Sequence, residues 1–166
     1  VLELLAIGAA LLGARRLART HGRWERGARG EERVGAILDG LSGEGWLALH
    51  DLPFERGNID HVLVGPGGLF TIETKSHRGR IHAARIDESM LRQALAEGRR
   101  VEQATGRRVE PLLVFSRAYL LPAVSRRGGV TVLPARMLPK YLTRYGRVLS
   151  PWEVGALGER VSRALG

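Results

Sequence analysis

The chain has 166 residues, of which 44% are hydrophobic and none is a cysteine. A chain of this length can bury one core but is too short for two of ordinary size, so we expect one domain with short appendages. The lack of thiols excludes disulfides and thiolate metal sites. Any bound metal must therefore be held by oxygen or nitrogen ligands.

The formal net charge is +9, of which the first 30 residues contribute +4 through six arginines and two glutamates. Basic surfaces attract polyanions, because Lys and Arg side chains neutralise phosphates and release condensed counterions. The charge therefore favours a nucleic-acid partner. An Arg-rich composition without such a partner is the alternative.

The N-terminus is apolar over residues 1–13 apart from Glu3, and Arg15, Arg16 and Arg19 follow. As a helix this run spans roughly 20 Å, short of the ~30 Å hydrocarbon core of a bilayer. We expect residues 1–22 to form a separate helix: a truncated membrane anchor, an amphipathic packing helix or a signal remnant. We expect the protein to be cytoplasmic, either free or tethered by this N-terminal segment to the cytoplasmic face of a membrane.

The main domain is expected over residues 23–145 and opens with a helix over residues 31–41. Glu31, Val34 and Leu38 share one stripe of that helix, which turns Glu31 toward the core. Strands are predicted over residues 46–52, 58–64 and 69–75, the last two joined by a Gly-Pro-Gly-Gly turn.

A second helix is predicted over residues 88–105 with Asp87 as its cap, followed by strands over residues 109–115 and 130–133. Pro111 indicates an edge position or a bulge for the first of these strands. A short helix over residues 135–142 follows, and Ser150 with Glu153 forms a capping box for a C-terminal capping helix within residues 146–166. The order predicts an α/β or α+β three-layer domain.

The hairpin turn fixes which residues face each other. If Val64 pairs with Leu69, Asp60 lies opposite Glu73, and Lys75 shares the face of Glu73. The opposite face of the hairpin is predicted to be apolar, formed by Ile59, Leu63, Phe70 and Ile72.

Two facing carboxylates beside an ammonium suit a divalent metal site. Mg²⁺ or Mn²⁺ relieves the repulsion between Asp60 and Glu73, because hard cations take oxygen ligands. The alternative is a surface hairpin in which Glu73 and Lys75 form a loose ion pair worth ~0–1 kcal/mol. Spacing alone leaves both interpretations open.

Three segments together resemble the NERD, or nuclease-related, domain of the PD-(D/E)xK superfamily: Gly30-Glu31, residues 58–64 (NIDHVLV), and residues 67–75 (GGLFTIETK) with Gly79. The resemblance spans about residues 27–142. It implies a restriction-endonuclease-like core of αβββαβ topology. It also implies Asp60 and Glu73 as metal ligands, Lys75 as the catalytic lysine, and Glu31 as a residue that reaches the site to hold a second metal or a water.

The resemblance further implies that Gln93, on the helix after the hairpin, belongs to the site. Members of the family often carry Asn-Pro shortly before this glutamine, where this chain has Ser89-Met90.

The function expected from these features is metal-dependent hydrolysis of DNA phosphodiester bonds with Mg²⁺ or Mn²⁺. The alternative is a non-catalytic module of the same fold that binds nucleic acid or a partner, with or without membrane tethering. No feature of the sequence indicates an oligomeric state. A DNA groove could be lined by the arginines at positions 78, 80, 85, 92, 99, 100, 107 and 108.

Overall fold

The computed structural model describes residues 27–54 and 57–166. The apolar run predicted as a helix over residues 1–22 lies outside the described residues, and the division of the chain into domains stays a prediction. In chain order the elements are α1 (residues 27–39), β1 (Leu47–Phe54), β2 (Gly57–Gly65), β3 (Gly68–His82), α2 (Glu88–Thr105), β4 (Val109–Leu121), β5 (Ser125–Arg127), β6 (Val130–Pro134), α3 (Leu138–Leu142) and α4 (Pro151–Leu165).

The strands form one six-stranded sheet with the order β1-β2-β3-β4-β6-β5. The first three strands are an antiparallel meander, β3, β4 and β6 run parallel, and β5 pairs antiparallel with β6. The order of α1, three strands, α2 and β4 confirms the predicted αβββαβ core and the mixed α/β (α+β) class.

Helices cover both faces of the sheet and make three layers. On one face, α1 and α3 bury an apolar cluster that includes Val34, Leu38, Leu138, Leu63, Phe70 and Leu112. On the other face, α2 and α4 bury two clusters that include Val101, Val154, Val161, Val62, Leu69 and Leu113. Because α4 packs on α2 and β1 in one of these clusters, the C-terminal helix is part of the core.

The predicted hairpin register is confirmed, since Val64 pairs with Leu69. The β2–β3 ladder ends at His61 and Ile72, so Asp60 lies just beyond the last paired residue. The predicted place of Ile59 is wrong, because Ile59 packs with the cluster under α2 and α4. Alternation breaks here because the ladder has ended and Asp51, on the neighbouring strand, has a φ of +52°.

Other strand details depart from the sequence prediction. The edge position or bulge expected from Pro111 is wrong: β4 lies between β3 and β6, and Pro111 is buried opposite Thr71. Pairing between β4 and β6 begins one residue later, at Leu112, so the missing N–H of Pro111 breaks no bond to β6. Strands β3 and β4 both run on past the predicted residue 75 and residue 115, and β5 was not predicted.

Helix ends follow the predicted chemistry. The Asp87 side chain accepts a hydrogen bond from the Ser89 N–H at the start of α2, and Ser150 and Glu153 complete the capping box of α4. Within residues 27–54 and 57–166, no helix is long and apolar enough to cross a membrane.

Candidate active site

Asp60 lies at the end of the β2–β3 ladder and is tied to β3 by a backbone donor. Its Oδ2 accepts a hydrogen bond of 2.7 Å from the Thr74 N–H. Burial and then the Glu73 carboxylate raise the pKa of Asp60 to about 7, whereas the Thr74 N–H acts in the opposite direction. The Asp60 carboxyl group is therefore close to Glu73, and a nearby positive charge would stabilise its ionised form.

Glu73 and Lys75 leave the buried part of β3 on the same face, as the period of a strand predicts. Glu73 is 2% exposed. The Lys75 Nζ donates to Glu73 Oε1 and also, at 3.1 Å, to Gln93 Oε1. The ammonium is thus held between a buried carboxylate and the amide of α2.

Gln93 reaches this cluster although Ser89-Met90 precedes it. Its Oε1 accepts from Lys75, and its Nε2 donates to Glu97 Oε1 at 3.1 Å. This arrangement settles which end of the amide faces which neighbour, because an ammonium can only donate. Gln93 therefore links the catalytic hairpin to the buried face of α2.

Glu97 is a member of the cluster that sequence reasoning missed. It is 1% exposed, and burial followed by the Glu73 carboxylate raises its pKa to about 9. The Oε2 atoms of Glu73 and Glu97 are buried without a hydrogen-bond donor among the described residues. Two carboxylates can hydrogen-bond only through a proton, so the raised pKa of Glu97 favours its protonated form beside Glu73.

A signal for Glu97 was present in the sequence. Glu97 lies one turn after Gln93 and falls between Ala94 and Val101, in the apolar stripe of α2. An acidic residue inside such a stripe is buried at a cost unless it has partners. That position, rather than spacing to the hairpin, could have identified it.

Two glycines allow the helices to approach the sheet at the site. A Cβ on Gly30 would lie 2.9 Å from Ser76 Cβ and 3.0 Å from Ser116 Oγ, and one on Gly98 would lie 3.2 Å from Pro111 Cβ. Gly30 directly precedes Glu31. Gly98 directly follows Glu97, so each close approach brings an acidic residue to the sheet.

Glu31 faces the cluster from α1. Burial, then Asp51 and Glu73, raise the pKa of Glu31, and Lys75 lowers it. Glu31 and Asp60 both line a cleft of about 410 Å³, together with Asp51, Asp39, His50 and His61. Of the predicted residues, Glu73, Lys75 and Gln93 are joined by hydrogen bonds, with Asp60 beside them. Glu31 is close enough for its charge to interact with Glu73 and Lys75, and Asp51 lies near Glu31.

Two histidines, His50 and His61, line this cleft beneath α1. The Nδ1 atoms of His50 and His61 are 2.8 Å apart, and His50 Nε2 lies 3.0 Å from Asp39 Oδ1. Burial and then His50 lower the pKa of His61 to about 4. His61 is therefore a neutral, buried residue that packs beneath α1 near Gly35.

The donor set suits a hard divalent cation by charge and by chemistry. Asp60, Glu73, Glu31 and Asp51 offer oxygen ligands, with Lys75 as the opposing charge. In residues 27–54 and 57–166, however, no three such side chains converge as closely as a bound ion requires. A shell with three protein ligands would therefore need at least one of these carboxylates to turn.

The arginines predicted to line a DNA groove are spread over β3, the following turn, α2 and the connection between α2 and β4. Seven of the eight are exposed, and Arg100 is half-buried. Arg107 pairs with Glu153 at 3.7 Å. A groove of about 440 Å³ beside the site is lined instead by Arg33, Arg117 and Arg136.

These features define a mixed α/β domain with a carboxylate, lysine and amide cluster where an antiparallel hairpin meets a parallel strand pair. Residues 26–116, more than half of the chain, match the family model of the nuclease-related domain, NERD. The chain belongs to the NERD family, and the resemblance seen in its sequence is confirmed.

The structure is similar to the crystal structure of a repair endonuclease from Pyrococcus abyssi, with a TM-score of 0.34 and 17% sequence identity. The match covers 68% of this chain and 42% of that chain, so it spans less than half of that protein. Similarity at this level carries no argument about activity. No curated protein sequence matches the chain.

Proposed function

We propose that this domain hydrolyses phosphodiester bonds of DNA with the help of Mg²⁺ or Mn²⁺. The observation that carries the proposal is the position of the Lys75 ammonium, which donates to Glu73 and Gln93 beside the carboxyl group of Asp60. A structural ion pair would need neither the amide nor the second carboxyl group. Membership of the nuclease-related family supports the same chemistry.

The roles of the residues follow from their charges. Asp60 and Glu73 would hold the ion, with Glu31 completing the shell directly or through a water. When bound, the ion would polarise the scissile phosphate and offset the charge that develops on it. Lys75 would orient the attacking water and neutralise the phosphate, and Gln93 would keep Lys75 in place after Glu73 turns toward the ion.

The test is a cleavage assay on plasmid, linear and single-stranded DNA with Mg²⁺, with Mn²⁺ and with a chelator. Glu73→Gln should abolish cleavage, since it removes a charged ligand but keeps the shape. Lys75→Ala should lower the rate roughly a hundredfold to a thousandfold, the usual cost of losing one stabilising donor. Gln93→Ala should lower it less. Gln103→Ala, an exposed glutamine on the same helix, is the matched control and should cut like the wild type.

The competing function is a non-catalytic module that binds nucleic acid or a partner. The observation that favours it is the lack of three converging metal donors among the described residues. DNA binding without cleavage under either metal would support the binding module and contradict hydrolysis. Cleavage that persists in the chelator, or in Glu73→Gln, would show that another site or a contaminant is responsible.

A further inference from the structure

A groove with a basic lining lies beside the candidate active site, on the α1 face of β4. It is about 440 Å³ in volume and is formed by α1, β4 and the residues that follow β6. Its lining includes Arg33, Arg117 and Arg136, and no acidic side chain among the residues that the structure describes. The charge of this groove is therefore opposite to that of the cleft at Glu31 and Asp60, and it suits phosphates.

The groove contains an aromatic ring that is exposed to solvent. Tyr119 is 62% exposed, and the Arg136 guanidinium carbon lies 4.7 Å from the centre of its ring. A stacked tyrosine and arginine offers a flat, polarisable surface with a positive charge. Such pairs bind unpaired bases in proteins that hold single strands.

The groove adjoins the catalytic strand through the backbone of Lys75, whose side chain lies on the α2 face of the sheet. Ser116, in its lining, donates from Oγ to the Lys75 carbonyl at 3.5 Å, and Phe115 is the β4 partner of Lys75. Tyr119 lies four residues farther along β4, roughly 13 Å at the rise of a strand. Arg80 on β3 is the neighbour of Tyr119 in the parallel register. Tyr119 therefore lies within the reach of a few nucleotides from the backbone of Lys75.

We infer that this groove binds single-stranded nucleic acid, with the arginines on the phosphates and Tyr119 stacked on an unpaired base, and so directs single strands to the site. The inference deepens the proposed function and rests on it for the cleavage step alone. A duplex has its bases stacked on one another and shows only their edges, so it cannot use the face of Tyr119. A groove of this size also admits a nucleotide but not a double helix.

Binding is tested in a chelator, which removes cleavage from the measurement. The probes are a fluorescent oligothymidine and a DNA duplex of the same length, titrated with the full chain and followed by anisotropy. The wild type should bind the single strand more tightly than the duplex. Tyr119→Ala should weaken binding of the single strand about 5- to 150-fold, the range expected for one stacked base, and leave the duplex unchanged. Tyr119→Phe should restore binding.

Trp152→Ala is the matched control, because Trp152 is a 79% exposed aromatic residue on α4, on the other face of the sheet. It should bind both probes like the wild type. Equal affinity for the two probes, an unchanged Tyr119→Ala, or equal loss for both probes would overturn the inference. No binding of either probe would also overturn it and leave the groove as a surface for a protein partner.

The outcomes separate this inference from the proposed function. If metal-dependent cleavage is found but Tyr119→Ala cuts single strands at the wild-type rate, the inference fails and the nuclease stands. If Tyr119 governs single-strand binding but no metal supports cleavage, the binding surface stands and the nuclease fails.

Discussion

Among the described residues, Glu97 has the pKa that is shifted furthest from its ordinary value. Burial and the neighbouring Glu73 raise its pKa from 4.5 to about 9, so the folded protein holds a proton that the unfolded chain loses near pH 4.5. The stability that this proton contributes is complete below pH 4.5 and is lost as the pH rises toward 9. The metal-free protein should therefore weaken in mildly alkaline buffer.

Glu97→Gln tests this directly. A glutamine at this position can still accept a hydrogen bond from Gln93 and donate one to Glu73, and it has no proton to lose. In the absence of metal we expect Glu97→Gln to be more stable than the wild type at pH 8, by roughly 2 kcal/mol or more, since each pKa unit corresponds to about 1.4 kcal/mol. The two proteins should converge near pH 5. Denaturant unfolding across this range is the measurement, with Glu102→Gln on the exposed side of the same helix as the control. A difference that does not change with pH would contradict a buried, protonated Glu97.

The hairpin is the element that could be predicted most fully. Its short turn fixes the register, and the period of two then places Glu73 and Lys75 on one face without further information. The contact of Asp60 with the Thr74 N–H could not be predicted, because it depends on where the ladder stops. The buried place of Ile59 was missed for the same reason.

The close approach of α1 to the sheet depends on Gly30. Gly30→Ala places a methyl group 2.9 Å from Ser76 Cβ, which cannot move without its backbone, so we expect a loss of about 1–3 kcal/mol in stability. Gly155→Ala on α4 is the matched helical control. Its methyl group meets nothing within 4 Å, so it should stabilise the protein by up to about 1 kcal/mol. Thermal unfolding of both variants checks the prediction, and a change of the same sign in both would refute the packing argument.

At the scale of the whole molecule, the element order was predictable because each helix and strand has its own local pattern, as with the cap of α2 at Asp87. The contact between Glu97 and Glu73 could not be predicted from the sequence, and neither could the groove at Tyr119. Glu97 meets Glu73 only through the docking of α2, and the groove joins α1, β4 and the residues after β6. Such contacts between distant parts of the chain follow from tertiary packing, which no local pattern encodes.

We propose that Asp60 and Glu73 form a divalent-metal site, and the melting temperature with and without Mg²⁺ or Mn²⁺ tests this most directly. An ion at a hundred times its Kd stabilises the fold by about 2.7 kcal/mol, which for a protein of this size is a rise of roughly 5–10 °C. We expect this rise in the wild type and in Lys75→Ala, and its loss in Asp60→Asn and in Glu73→Gln. A wild-type melting temperature that neither ion changes, or an equal rise in all four proteins, would contradict the site.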